Sequence, residues 1–130
     1  MKDILVPVSP GELVDKITIL RIKAARIGDA QKLHNVRVEL DALESIWRNC
    51  GAPISTVADD EAALQKVNEA LWDIEDRIRD KERDRLFDAE FIELARAVYV
   101  TNDERAAIKK RINLALGSRL VEEKSYAQYR

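Results

Sequence analysis

Apolar residues recur at intervals of three and four along most of the chain, the period of one face of an α-helix. Leu13, Ile17, Leu20, Ala24 and Ile27 form one such stripe, and Leu33, Val36, Leu40, Leu43, Trp47 and Cys50 form a second. Each stripe opens on a start signal. Ser9-Pro10-Gly11-Glu12 supplies an N-cap, a proline at the first helical position and a glutamate at the third, the pattern of a reciprocal capping box. Gly28-Asp29 stops the first helix and caps the next. So short a link predicts that residues 10–50 pack as an antiparallel helical hairpin. Gly51–Ala58 reads as a loop. Asp59, Asp60 and Glu61 then place negative charge at a helix N-terminus, ahead of a third stripe of Leu64, Val67, Leu71, Ile74 and Ile78.

The third helix is expected to run to about Arg85. From Asp73 to Arg85, 11 of 13 residues are charged, so this half borders the core on a narrow stripe at most. Phe87 before Asp88, with Ile92 following, predicts a hydrophobic staple around an aspartate cap and a fourth helix through Phe91, Ala95, Val98 and Tyr99. Thr101-Asn102-Asp103-Glu104 reads as another capping box, opening a separate fifth helix through Ile108, Ile112 and Leu116 that Gly117 closes. Residues 1–8 are β-branched and contain Pro7, which suits an extended arm, at most a short edge strand. In the tail, 118–130, Leu120, Val121, Tyr126 and Tyr129 can dock on a neighbouring helix. The predicted fold is all-α: a helical hairpin, a long third helix, one or two shorter C-terminal helices and an extended arm, in one domain over 1–130.

Charge narrows the function classes. With 24 acids against 22 bases the net charge is −2, and no Lys/Arg stripe stands out, so a nucleic-acid partner is not expected. The longest apolar stretch, Ile4–Val8, is far short of a membrane span, and the single Cys50 permits no intrachain disulfide, so a cytoplasmic protein is expected. No glycine-rich phosphate loop is present, and His34 and Cys50 stand in no zinc or Cys/His-dyad spacing. Asp41/Glu44 and Asp73/Asp76 have a spacing compatible with magnesium, but Glu12/Asp15 and Glu90/Glu93 share it in so acidic a chain. Neither a metal nor a cofactor is expected.

Two functional readings remain. Long seams with few aromatic core residues, and a charged third helix, point to a helical protein-interaction or oligomerisation module, expected to be a homodimer with a protein partner as a further option. The alternative is a small all-α enzyme or binder of an anionic phosphorylated or sugar-derived metabolite, such as a nucleotide sugar or sugar phosphate. There Glu12 would be the catalytic base, and Lys16, Asn102, Asp103, Arg105 and Lys124 would hold the ligand.

Four stretches carry a resemblance: PVSPGELVDKITILRIK (7–23), LWDIEDRIR (71–79), FDAEFIELARAVYVTNDERAAIKKRIN (87–113) and GSRLVEEKSY (117–126). They are similar to a bacterial family of small helical proteins, a domain of unknown function. The resemblance implies no reaction, cofactor or ligand. Its matching positions are largely polar: Glu12, Asp15, Lys16, Thr18 and Lys23, then Trp72, Glu75 and Asp76, then Asn102, Asp103, Arg105, Lys109, Glu123, Lys124 and Tyr126.

Overall fold

Side-chain caps set where the helices begin. Ser9 Oγ accepts the Glu12 N–H at 3.2 Å and Pro10 takes the first position of α1 (Pro10–Arg26). Asp29 accepts the Lys32 N–H at 3.0 Å to open α2 (Ala30–Asn49). The segment predicted as a loop contains a 3-10 turn, Ile54–Val57, that leads directly into α3 (Ala58–Arg83). Asp88 accepts the Phe91 N–H at 3.0 Å to open α4 (Ala89–Ala115). The computed structural model describes residues 1–130 in this way, with no strand.

Helix α1 lies at the centre and packs on α2, α3 and α4, whereas α2 packs principally on α1. The core joins Leu13, Val14 and Ile17 of α1 to Trp47 of α2, Val57, Leu64 of α3, and Ile108 and Ile112 of α4. The hairpin expected for residues 10–50 is present, and the α2 seam from Leu33 to Leu43 is half-buried against it. Cys50 departs from that seam: it is the exposed C-cap of α2. The charged half of α3 is accompanied by the start of α4, through Arg77–Glu90 at 2.7 Å and Lys81–Asp88 at 2.9 Å.

Three local expectations are corrected. The fourth and fifth predicted helices are one 27-residue helix, α4, running straight through Thr101-Asn102-Asp103-Glu104. No glycine or proline interrupts residues 89–115, and Leu94, Val98, Thr101, Arg105, Ile108 and Ile112 step by four and three as one inner stripe, so nothing opens the backbone for a cap. The capping box at Ser9 closes on one side only, because Glu12 turns to Lys109 of α4 at 2.7 Å. The aromatic partner of Phe87 is Phe91, edge-to-face at 5.2 Å between centroids, while Ile92 is exposed.

The ends of α3 and α4 share a geometry. Leu86 N–H reaches Lys81 O at 2.9 Å and Ser118 N–H reaches Asn113 O at 2.8 Å, both Schellman closures, with Arg85 (φ 54°) and Gly117 (φ 64°) in the left-handed position. The second closure turns the non-helical tail back along α4.

Candidate functional site

The centre of the bundle is polar. Asp15 lies on α1 between Val14 and Lys16, with its side chain 2% exposed. Its Oδ1 accepts from Asn68 Nδ2 of α3 at 3.0 Å and from Arg105 Nε of α4 at 2.8 Å, and its Oδ2 accepts from Arg105 Nη2. Asn68 also donates to Thr18 Oγ1 at 2.9 Å, and Thr18 passes its own proton to the Asp15 carbonyl at 2.8 Å. Three helices are therefore tied through one carboxylate. Hydrogen bonding to Asp15 raises the Arg105 pKa above its ordinary value.

One turn along α4, Lys109 is buried beside this pair. Its Nζ meets Glu12 at 2.7 Å, Glu122 of the tail at 3.3 Å and Asp15 at 3.9 Å. Burial disfavours the ammonium, but the hydrogen bond to Glu12 and the charges of Asp15, Glu12 and Glu122 outweigh it and hold the pKa above 10.5. Close backbone approach makes this possible. Gly11 N–H donates to the buried Asn113 Oδ1 at 2.7 Å, and a Cβ on Gly11 would sit 2.5 Å from the Lys109 carbonyl oxygen.

Three cavities open around this network. Above the Asp15–Arg105 pair, a cleft of about 440 Å³ lies between α1, α3 and α4, with Trp72, Glu75, Asp76, Arg79 and Asn102 among its walls. A second of about 550 Å³ lies between α4 and the tail, bordered by Tyr99, Asn102, Asp103, Lys124 and Tyr126. A third, also about 440 Å³, is bordered by Glu12, Arg105, Lys109, Glu122 and Lys124. Tyr129 closes the tail over α4, stacking edge-to-face on Tyr99 at 4.9 Å and donating its hydroxyl proton to Asp103, which raises the Tyr129 pKa above 10.0.

The residues nominated for ligand binding are brought together in part. Asn102, Asp103, Arg105, Lys124 and the nominated base Glu12 border these adjoining cavities, with no single cavity containing all five. Lys16 stands apart, exposed and paired with Glu39 of α2 at 3.1 Å. Arg105 is engaged by Asp15 and Glu12 by Lys109, whereas Lys124 forms no ion pair and lies 5.9 Å from the Tyr126 ring centroid. Asn68, Arg79 and Glu122 were not nominated; Asn68 and Arg79 step by four and three with Trp72 and Glu75 on one helical face, a signal for a groove, whereas only its place in the tail marked Glu122. No cluster of three or more His, Cys, Asp or Glu side chains could hold a metal ion. Glu44 pairs with Arg21 at 3.0 Å and Asp73 with Arg26 at 2.6 Å, so both acidic pairs weighed for magnesium have a member held by arginine.

A second kind of surface is apolar. In the arm, Ile4, Leu5 and Val6 are 75%, 88% and 67% exposed, and no backbone group of residues 1–8 has a hydrogen-bond partner in the chain. On the outer side of α2, Val38 and Ile46 are 58% and 54% exposed, with exposed Ala42 midway between them on the same ridge. No helix is long and apolar enough to cross a membrane.

The chain belongs to a family of unknown function (DUF6165), whose description matches residues 4–129. No curated protein and no solved structure matches it.

Proposed function

We propose that this protein is a helical interaction module that associates with a second copy of itself through the ridge of α2 and the extended arm. The observation that carries this is surface area. A compact monomer of 14.8 kDa exposes about 7,000 Å², and this chain exposes 9038 Å². The excess, about 2,000 Å², is more than twice the roughly 800 Å² that each partner contributes to a standard interface. Part of it is the solvated tail. The arm and the α2 ridge supply apolar side chains for the remainder, and a net charge of −2 opposes self-association only weakly. Ala42 between Val38 and Ile46 lets two α2 ridges approach closely.

Light scattering on the eluting full chain at micromolar concentration tests the proposal. The expected mass is twice 14.8 kDa, falling toward the monomer in Ile46→Asp and in a variant lacking residues 1–8. A strictly monomeric wild type overturns self-association, and a dimer indifferent to both changes overturns the faces assigned to it.

Binding of an anionic phosphorylated or sugar-derived metabolite is a second reading. Lys124 favours it, being a cation without a carboxylate partner beside Asn102 and Asp103. Against it, Arg105, Lys109 and Lys16 each have a carboxylate partner within the chain.

A further inference from the structure

The cleft between α1, α3 and α4 has free hydrogen-bonding capacity of a particular kind. Asn68 spends both amide hydrogens, on Asp15 and on Thr18. Asp15 accepts only, so the amide orientation is fixed and the Asn68 carbonyl oxygen is left as an acceptor without a donor. Asn68 itself is 4% exposed, yet that oxygen retains access to the cleft. Asp76, on the same wall, forms no ion pair or hydrogen bond within the chain, and neither the Trp72 indole N–H nor the Asn102 amide N–H finds an acceptor. The cleft thus offers two acceptors and two donors without protein partners, beside the half-buried indole of Trp72 and the aliphatic side chains of Ile19 and Ile22.

Charge selects the ligand class. Arg79 is closed by Glu75 and Arg105 by Asp15, so an anion entering the cleft meets no unpaired cation and does meet the Asp76 carboxylate. An organic cation meets the Asp76 carboxylate, but the indole that would hold it already has the Arg26 guanidinium 5.8 Å from its centroid. A neutral ring bearing hydroxyls satisfies both sides. Each hydroxyl donates and accepts, and the C–H face of such a ring packs on an aromatic surface. The volume, about 440 Å³, lies in the range of small-ligand sites.

We propose that this cleft binds an uncharged polyhydroxylated ring of the pyranose class, packed on Trp72 and hydrogen-bonded by Asp76, Asn102 and Asn68. Asn68 is held for this role by the Asp15–Thr18 network, so the polar core and the ligand wall are one construction.

Saturation-transfer NMR on the full chain tests it, with neutral methyl pyranosides of gluco, galacto, manno and N-acetylglucosamine configuration, and a hexose phosphate and a hexosamine as charged comparators. Transfer is expected to the ring C–H protons of at least one neutral pyranoside. Asp76→Ala should weaken binding about tenfold, the value of one hydrogen bond to a charged group, Trp72→Ala should weaken it at least as much, and Lys66→Ala, exposed on α3 and outside the cleft, should leave it unchanged. Asp76 is exposed and unpaired, so its variant retains the fold and the test stands even where Trp72→Ala does not fold. Absence of transfer from every neutral pyranoside, transfer from the charged comparators alone, or transfer that survives both cleft substitutions overturns the proposal. The mass of the same samples is read in parallel: a dimer without sugar binding fails this inference alone, and a sugar-binding monomer fails the self-association reading alone.

Discussion

Replacing Arg105 by methionine leaves the Asp15 carboxylate in the middle of the bundle with one Asn68 hydrogen bond and an ammonium 3.9 Å away. Removing one partner of a buried ion pair costs about 3–5 kcal/mol, because the remaining charge is desolvated without compensation. Lys109 is close enough to lean toward Asp15 at the expense of Glu12, which places Arg105→Met near the lower end, about 3 kcal/mol. Asp15→Asn is milder. The Arg105 side chain is 29% exposed and can turn its fork to water, so the loss is about 2 kcal/mol for exchanged hydrogen bonds. The double variant should cost about 3 kcal/mol rather than the additive 5, a coupling of about 2 kcal/mol.

Urea unfolding followed by the helical circular dichroism signal measures these differences, at one protomer concentration throughout, since a dimer gains apparent stability with concentration. For 130 residues the unfolding entropy is about 270 cal/mol/K, so Arg105→Met should also melt about 11 °C below the wild type. Additive single and double variants, or a loss under 1 kcal/mol for Arg105→Met, would show that the pair adds nothing beyond what water supplies and would refute the polar centre as an organising contact.

Gly11→Ala provides a test of sign. In an open helix the change stabilises by up to about 1 kcal/mol, but here the new methyl meets the Lys109 carbonyl oxygen at 2.5 Å. Since backbone oxygen cannot swing aside, a net loss of about 2 kcal/mol is expected in the same urea titration, and any stabilisation contradicts the close approach of α1 to α4. Tyr129 provides a pH test. Its hydrogen bond to Asp103 raises the folded pKa above the ordinary 10.0, so the contribution to tail docking is complete below that pH and is lost as pH rises through the higher folded value. In ultraviolet phenolate titration Asp103→Ala should move a component to lower pH and Tyr129→Phe should remove it. A wild-type curve superimposing on Asp103→Ala rejects the docked tail.

Which parts of this architecture were legible in the sequence follows from the range of each interaction. Ser9, Asp29 and Asp88 cap helices by bonding to backbone three residues away, so their signals are local and the helix starts could be read from them. The same logic misleads at Thr101–Glu104. A capping motif acts only where the chain leaves the helix, and the inner stripe of α4 from Leu94 to Ile112 is reason for it to stay. Asp15 exposes a deeper limit. A helix packed on one side has a polar face, and periodicity assigns Asp15 and Thr18 to it. Helix α1 packs against three partners and keeps only a narrow outward strip at Glu12, Lys16 and Lys23, so residues stepping 15, 18 and 22 are buried opposite those stepping 13, 17 and 20. That arrangement depends on two other helices distant in sequence. Once α1 is central, Asp15 must be matched by donors from the helices that cover its side, and Asn68 of α3 and Arg105 of α4 are those donors. Their pairing sets the register of α3 and α4 against α1 and leaves the Asn68 oxygen in the cleft. The Arg105 double-mutant cycle therefore measures the contact on which the register and the orientation of the proposed ligand wall both depend. With the fold kept by hydrophobic packing and the cycle additive, that wall would have no reason to keep its orientation.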